Sequence, residues 1–237
     1  MSQSKYRMMA RALFPSLADF LFPRYCAGCG RRLAVTEHLV CPECVFKIAR
    51  FNDKNSIFDR LYRWDVRTPM LHVGAFASYH RRETAAHLVH ALKFYNKPEI
   101  GRWMGQWAAT SMQPEGFFDG VDCFVPIPLS RTRRRERGYN QAELIAQGLS
   151  AVTSIPVDTS LIYRKHDNTA QTHVNLTDRA ANVQDVFAIC PDAQAEGRSV
   201  MLVDDVITTG ATMSNAIKLL SGIDGIRLSV FSWAAVP

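Results

Sequence analysis

The chain has 237 residues, 47% of them hydrophobic and 21% charged, a composition ordinary for a soluble globular protein and sufficient for one substantial domain with a small appendage. Its 28 Lys and Arg against 22 Asp and Glu leave a formal net charge of +6, which suits polyanionic partners, phosphorylated sugars or nucleic acid, without choosing between them. No run of about eighteen apolar residues occurs, so a transmembrane helix is excluded on length.

The first apolar stretch, Met8 to Phe22, is interrupted by Arg11, Pro15 and Asp19 and has no small-residue cleavage site before Cys26. It reads as a short amphipathic helix docked on the next module, with attachment to a membrane surface as the alternative. "CAGC" and "CPEC" follow, giving Cys26, Cys29, Cys41 and Cys44 as two CxxC pairs. Each pair can present two thiolates to one tetrahedral zinc, with a hairpin between the pairs and Gly28, Gly30 and Pro42 in tight turns. Disulfides are the alternative and would need an oxidising compartment that nothing announces. A closed four-cysteine site keeps no open coordination position, so zinc would fold this module without performing chemistry. Cys123 and Cys190 stand alone in apolar contexts and read as buried core residues.

"RFNDKNSIFDRLYRWDVRTPM" is mixed and polar and reads as a connector. The expected division is residues 1–66 for the helix, cysteine module and connector, and residues 67–237 for an α/β domain. In that domain "LHVGAFASY" reads as a strand, and Ala85, Leu88, Val89 and Leu92 mark a helical face. A further helix is expected after Pro98, a buried strand at "VDCFVPIPL" and a helix at "NQAELIAQGLSAV". "NVQDVFAI", "SVMLVDDV" and "IRLSVFSWAAV" supply more strands, with a helix from Met213 bridging the last two. This alternation predicts a mainly parallel, doubly wound sheet flanked by helices. His87, His90 and Lys93 share a helix at spacing three; a metal or anion site is conceivable there, and satisfied structural histidines are the commoner outcome.

"VMLVDDVITTGATM" carries the chemistry. A buried strand runs into Asp204 and Asp205, followed by a loop of small residues, Thr208, Thr209, Gly210, Ala211 and Thr212, that opens a helix. Such a loop offers backbone N–H groups and hydroxyls to a phosphate at the carboxyl end of a strand. Two carboxylates beside that phosphate need a divalent cation or hydroxyl donors as partners, and a sugar phosphate meets both demands. A Walker loop would need a lysine after the glycine, and a dinucleotide fingerprint would need three spaced glycines; neither is present. A turn with a helix cap and no ligand is the bland alternative. Upstream, "VPIPLSRTRRRERGYNQ" places Arg131, Arg133, Arg134, Arg135 and Arg137 after a strand that Pro126 and Pro128 force into an irregular exit. That cluster suits a pyrophosphate, with a solvated basic face as the alternative.

At the Asp204 to Thr212 stretch the chain resembles the type I phosphoribosyltransferases. The resemblance implies that Asp204 and Asp205 take the ribose hydroxyls of 5-phosphoribosyl 1-pyrophosphate while Thr208 to Thr212 wrap its 5-phosphate, with magnesium accompanying the ligand. The order of "CAGC", "CPEC", "YHRRETAAHLVHALKF", "VPIPLSRTRRRERGYNQ", "RKHDNTAQTHVNLTDRAANV" and "VMLVDDVITTGAT" is similar, over nearly the whole chain, to the ComF family, amidophosphoribosyltransferase-like proteins tied to bacterial DNA uptake. Matching positions are Lys93, Arg137, Gly138, Asn140, Gln141, Gln171, Arg179, Asn182, Asp204 and Asp205.

The family implies a bacterial cytoplasmic protein, with a zinc module on a phosphoribosyltransferase domain, that handles incoming single-stranded DNA. It departs from salvage enzymes in that the zinc module stands where those enzymes carry a base-reading hood. The segment from Arg164 to Asn182, with Lys165, His166, Gln171 and Arg179, is a candidate for closing over a charged ligand. Two functions are consistent with these residues. One is transfer of the phosphoribosyl group to an acceptor with loss of pyrophosphate. The other is binding of single-stranded nucleic acid through Tyr25, the arginine cluster and the zinc ribbon.

Overall fold

The computed structural model describes residues 22–165 and 186–237. The helix expected at Met8 to Phe22, save its last residue, and the segment with His166, Gln171, Arg179 and Asn182 lie outside the described residues.

The four cysteines fold in two different ways. Around the first pair, the Cys26 N–H donates to the Arg31 carbonyl and the Gly30 N–H to the Cys26 carbonyl, a tight knuckle that needs the left-handed backbone of Gly30. The second pair opens helix α1 (Pro42–Phe46): Cys41 is the residue before the helix, Pro42 sits in its first turn, and Cys44 is inside it. The module leans on the α/β domain, because a side chain at Gly28 would collide with Thr84 Cγ2 at 2.9 Å and Ala27, Leu39 and Val40 pack against the larger core.

The stretch read as a connector is a helix that helps to build the core. Helix α2 (Lys54–Arg63) is capped by Asp53, which accepts from the Ser56 N–H, and it buries Ile57 and Leu61. These join Phe51 and Val66 in a core shared with Val73 and Ala75 of strand β1 (Met70–Ser78). After β1 come α3 (Thr84–Phe94) and α4 (Pro98–Met112), then β2 (Cys123–Pro126), α5 (Arg131–Arg137) and α6 (Gln141–Thr153). A short antiparallel pair, β3 (Ile162–Arg164) with β4 (Phe187–Ile189), precedes β5 (Ser199–Ile207), α7 (Ala211–Leu220) and β6 (Arg227–Ala235).

The main sheet has the order β1-β6-β5-β2, every pairing parallel. Along β5 the side chains alternate: Val200 and Leu202 enter the core beneath α2 and α7, while Met201 and Val203 enter the core beneath α3, α4 and α6. Both faces are therefore covered, as a parallel sheet requires. This is the mainly parallel sheet flanked by helices that the sequence led one to expect, with the four-cysteine cluster in the N-terminal region. Two isolated cysteines differ in depth. Cys123 is fully buried in β2, as expected, whereas Cys190 is only half-buried because it follows the end of the small β3–β4 ribbon.

The connections fix where a ligand can sit. From β2 the chain passes through α6 outward to residue 157, which bridges Phe124 in parallel beyond the sheet edge. From β5 it passes through α7 inward to β6. Neighbouring strands whose connections depart in opposite directions leave a crevice between their carboxyl ends, and ligands collect there in open α/β sheets.

Helix α6, which starts at that crevice, is anchored by an unusually close crossing with α4. A side chain added at Gly105 would lie 2.1 Å from the Ile145 carbonyl oxygen, and one added at Gly148 would lie 2.2 Å from that of Arg102. Backbone, not side chain, occupies the space. Gly105→Ala or Gly148→Ala is therefore expected to cost about 2–3 kcal/mol of folding stability, measured by denaturant unfolding.

Candidate functional site

The strand expected to run through "VDCFVPIPL" stops at Pro126, whose partner on β5 is Val203. Pro126 and Pro128 have no N–H to continue a ladder, so the chain turns away. Strand β5 keeps going, held by β6 through Val206 and Ile207. Asp204 and Asp205 thus lie near the carboxyl end of β5, just before the loop as the sequence suggested, on a length of strand that β2 no longer covers. The acids stand at a step in the sheet edge.

Around this step is a cavity of about 320 Å³. Asp205 is buried and its Oδ2 lies 2.9 Å from Lys93 Nζ, brought by the last turn of α3. Lys93 is held there because the Tyr139 hydroxyl donates to the Leu92 carbonyl oxygen at 2.8 Å. Asp204 Oδ1 accepts from the Asp205 N–H at 2.8 Å. Burial and the neighbouring Asp205 charge push the Asp204 carboxyl up to about 7, against the pull of that N–H, Lys93 and Arg164. Burial also lowers the Arg137 guanidinium from its ordinary value, opposed chiefly by the Asp205 charge.

The arginine run forms a helix that composition alone did not announce. Ser130 Oγ accepts from the Arg133 N–H at the start of α5, and Gly138 ends it with φ +76°. A serine and a glycine bracketing the run were the available signal. The helix aims Arg133 and Arg137 into the cavity, whereas Arg131, at its first position, does not line it. Arg137 Nη1 donates to Gln141 Oε1 at 2.9 Å. Asn140 acts as scaffold, since its Oδ1 caps α6 by accepting from the Ala142 N–H and its Nδ2 donates to the Ile127 carbonyl. Of the expected closing segment, Arg164 reaches the cavity from the end of β3.

Thr208, Thr209 and Gly210 make the turn into α7, and residues 206–213 curl around a hollow of about 30 Å³. Gly210 has φ +82°, and a side chain there would meet Arg60 Cβ at 3.1 Å. Two residues of α2 and its end hold this loop from behind, and sequence reasoning missed both. Arg60 Nη1 donates to the Thr208 carbonyl and its Nη2 to those of Val236 and Pro237; Trp64 Nε1 donates to the Thr209 carbonyl at 3.0 Å. With its carbonyls engaged behind, the loop leaves the Thr208 and Thr209 side chains exposed in front.

The four cysteine sulfurs lie within 4.8 Å of one another, and Cys29 Sγ is 3.8 Å from Cys41 Sγ. Sulfurs about 2.3 Å from a shared tetrahedral centre would be about 3.8 Å apart, so the cluster can hold a metal ion. Burial alone would raise the Cys26 thiol, but N–H groups of the surrounding backbone, that of Cys41 foremost, hold it down at about 7 and favour the thiolate. No described residue of this module lines the acid cavity. His87 instead links module and domain, its Nδ1 2.8 Å from the Gly28 carbonyl oxygen, while His90 packs against Phe94 and meets Tyr95 edge-on; among the described residues neither belongs to a cluster of three or more metal-ligating groups. Tyr25 is half exposed in the module, away from the cavity.

A family profile described as phosphoribosyl transferase domain matches residues 136–231, which include both acids and the threonine loop. Among curated relatives, Competence protein F of Haemophilus influenzae is 36% identical over 45% of this chain and 48% of its own length, so that match spans about half of the relative. DNA utilization protein YhgH of Salmonella typhimurium is 27% identical over 82% of this chain and 83% of its own. Competence protein ComFC of Bacillus subtilis is 27% identical over 82% of this chain and 70% of its own.

The raised Asp204 carboxyl has a consequence for stability. Between its ordinary value of 3.8 and about 7, the folded chain binds a proton that the unfolded chain has lost. This contribution favours folding fully below the lower value and declines as pH climbs to the upper one. Asparagine, neutral throughout, shows no decline. Asp204→Asn is expected to gain on the order of 1 kcal/mol more over the parent at pH 8 than at pH 5, read from denaturation at the two pH values.

Proposed function

We propose, from the premise that the chain belongs to the ComF family, that it binds 5-phosphoribosyl 1-pyrophosphate and serves bacterial DNA uptake by handling single-stranded DNA in the cytoplasm. The observation that carries the reading is the convergence, at one step of the sheet edge, of paired acids, an exposed threonine turn opening a helix, and two arginines with a lysine. Each part answers to one part of the ligand. The turn at Thr208 to Thr212 takes the 5-phosphate with backbone N–H groups and hydroxyls. Asp204 and Asp205 accept from the ribose hydroxyls. Lys93, Arg133 and Arg137 face the pyrophosphate, with Gly138, Asn140 and Gln141 shaping the backbone behind them. Arg131, which does not line the cavity, and Arg179, which lies outside the described residues, are proposed from the sequence as further anion contacts.

The ligand arrives as its magnesium chelate, and carboxylate oxygens beside a polyphosphate suit that hard cation, which neutralises charge at the pyrophosphate. No helix among the described residues is long and apolar enough to cross a membrane, and contact with the DNA-uptake machinery is proposed without stable membrane insertion.

In the four-cysteine module we assign structural zinc, bound by Cys26, Cys29, Cys41 and Cys44. A second reading, transfer of the phosphoribosyl group to an acceptor, is favoured by the guanidinium groups standing where pyrophosphate would depart; release of pyrophosphate with a panel of nucleobases would distinguish it.

Titration calorimetry with phosphoribosyl pyrophosphate and magnesium is expected to show binding that Asp205→Asn weakens at least about tenfold, through loss of the carboxylate that Lys93 and the ribose share. Binding that is absent in the parent, or equal in the two proteins, would remove the assignment. For the module, metal analysis should find about one zinc per chain, and Cys26→Ser should lose it. Because a four-thiolate site contributes on the order of 10 kcal/mol to so small a unit, residues 24–50 should then become sensitive to limited proteolysis while the α/β domain stays resistant.

A further inference from the structure

The acid cavity shares a wall with a second hollow. On the far side of Lys93, Arg133 and Arg137 lies a space of about 420 Å³, bounded by Phe94, Asn96 and Arg135. The three cationic side chains line both spaces. Nothing in the phosphoribosyl pyrophosphate reading uses the second one.

Its chemistry is mixed in a specific way. Phe94 is 62% exposed and Tyr95 59% exposed, at the end of α3. The rings are braced: the His90 ring lies tilted 4.6 Å from the Phe94 ring centre and edge-on 5.6 Å from that of Tyr95, and the Arg137 guanidinium lies 5.7 Å from the Phe94 ring. A large exposed ring held on one side, with a cation at its margin, is a surface prepared for another flat π system. Four cations, Lys93, Arg133, Arg135 and Arg137, border this hollow against one carboxylate, Glu136. Among the described residues no salt bridge engages Arg133 or Arg135. A free nucleobase would use the ring and leave the guanidinium groups idle. An acidic peptide would do the reverse. A nucleotide within a chain uses both, its base on the ring and its phosphates on the arginines.

We infer that the second hollow is a nucleotide subsite for single-stranded oligonucleotide, with a base stacked on Phe94 and backbone phosphates at Arg133 and Arg135. We infer further that oligonucleotide and phosphoribosyl pyrophosphate oppose each other's binding. The opposition follows from the shared wall: a pyrophosphate in the first cavity claims the positive charge of Lys93, Arg133 and Arg137 that a phosphate in the second would need, and places like charge beside it. Linkage makes the effect mutual. The inference rests on the proposed function, since it takes the first cavity as the phosphoribosyl pyrophosphate site.

The test uses the full zinc-loaded chain and a fluorescein-labelled oligothymidylate of about 12 nucleotides, a length within the range that single-strand sites cover. An abasic oligomer of equal length serves as the control for phosphate contacts alone. By anisotropy, Phe94→Leu is expected to weaken oligothymidylate binding by about 5- to 100-fold while abasic binding changes little, because stacking and not charge has been removed. Saturating phosphoribosyl pyrophosphate with magnesium is expected to raise the dissociation constant of the oligothymidylate at least about fivefold.

Phe94 is largely exposed, so the variant is expected to fold, and its far-ultraviolet circular dichroism and calorimetric affinity for phosphoribosyl pyrophosphate are checked in parallel. If Phe94→Leu proves unfolded, Phe94→Met, which also removes the ring, replaces it with the same loss expected, while Phe94→Tyr, which keeps the ring, should keep binding. Equal affinity of parent and Phe94→Leu for oligothymidylate overturns the subsite, and an unchanged dissociation constant under saturating phosphoribosyl pyrophosphate overturns the opposition. A parent that binds phosphoribosyl pyrophosphate but no oligonucleotide overturns the inference and leaves the first cavity's assignment standing. A parent that binds oligonucleotide but no phosphoribosyl pyrophosphate fails the proposed function itself, and with it the opposition.

Discussion

Two neighbouring carboxylates on a buried strand are an electrostatic liability, and the architecture around the crevice is arranged to meet it. Adjacent residues on a strand point to opposite faces, so Asp204 and Asp205 need partners from different directions. Lys93 arrives from one side on α3 and pairs with Asp205, while Arg164 arrives from β3 and bears on Asp204. Elements far apart in sequence converge here because charge left uncompensated beside a sheet is costly. Even so the compensation is incomplete, since Asp204 remains a weak acid. A ligand that brings hydroxyl donors or a cation would finish what the protein leaves undone.

How much of this was legible depended on whether the signal was local. The β5 strand, the turn at Thr208 to Gly210 and the start of α7 are consecutive in sequence, and apolar run, acids and small residues announced them together. The parallel sheet was legible from alternation of strands and helices. The step in the sheet edge beside the acids was not, because it depends on where β2 stops relative to β5, a relation between strands that no single stretch carries. Likewise the arginine run showed its charge but not its direction. Only the Ser130 to Gly138 helix decides that Arg133 and Arg137 face the crevice while Arg131 does not. Arg60 and Trp64 were invisible for the same reason: a helix of mixed polarity looks like a connector until its contacts with Thr208 and Thr209, nearly 150 positions later, are seen.

The described part of the N-terminal region thus supports the site in two ways without lining the cavity. The four-cysteine module props the beginning of α3 through Gly28, Thr84 and His87, and the other end of that helix delivers Lys93. Helix α2 braces the threonine turn from behind. A turn whose carbonyls are held is fixed before any ligand arrives, and every group fixed beforehand is one that a ligand need not order.

The close crossing of α4 and α6 bears on motion. Side chains between packed helices can change rotamer and let one helix slide, but at Gly105 and Gly148 backbone meets backbone, and no rotamer is available to absorb displacement. The two helices form a single stiff beam, and α6 enters the crevice as its fixed end. The other shore has no such lock: α5 buries none of its residues and carries Arg137 at its end, while the last turn of α3, with Lys93, is tied by a hydrogen bond from Tyr139 to Leu92. The crevice therefore has unequal walls, one in which backbone is locked against backbone and one whose basic groups stand on partly solvated helix ends.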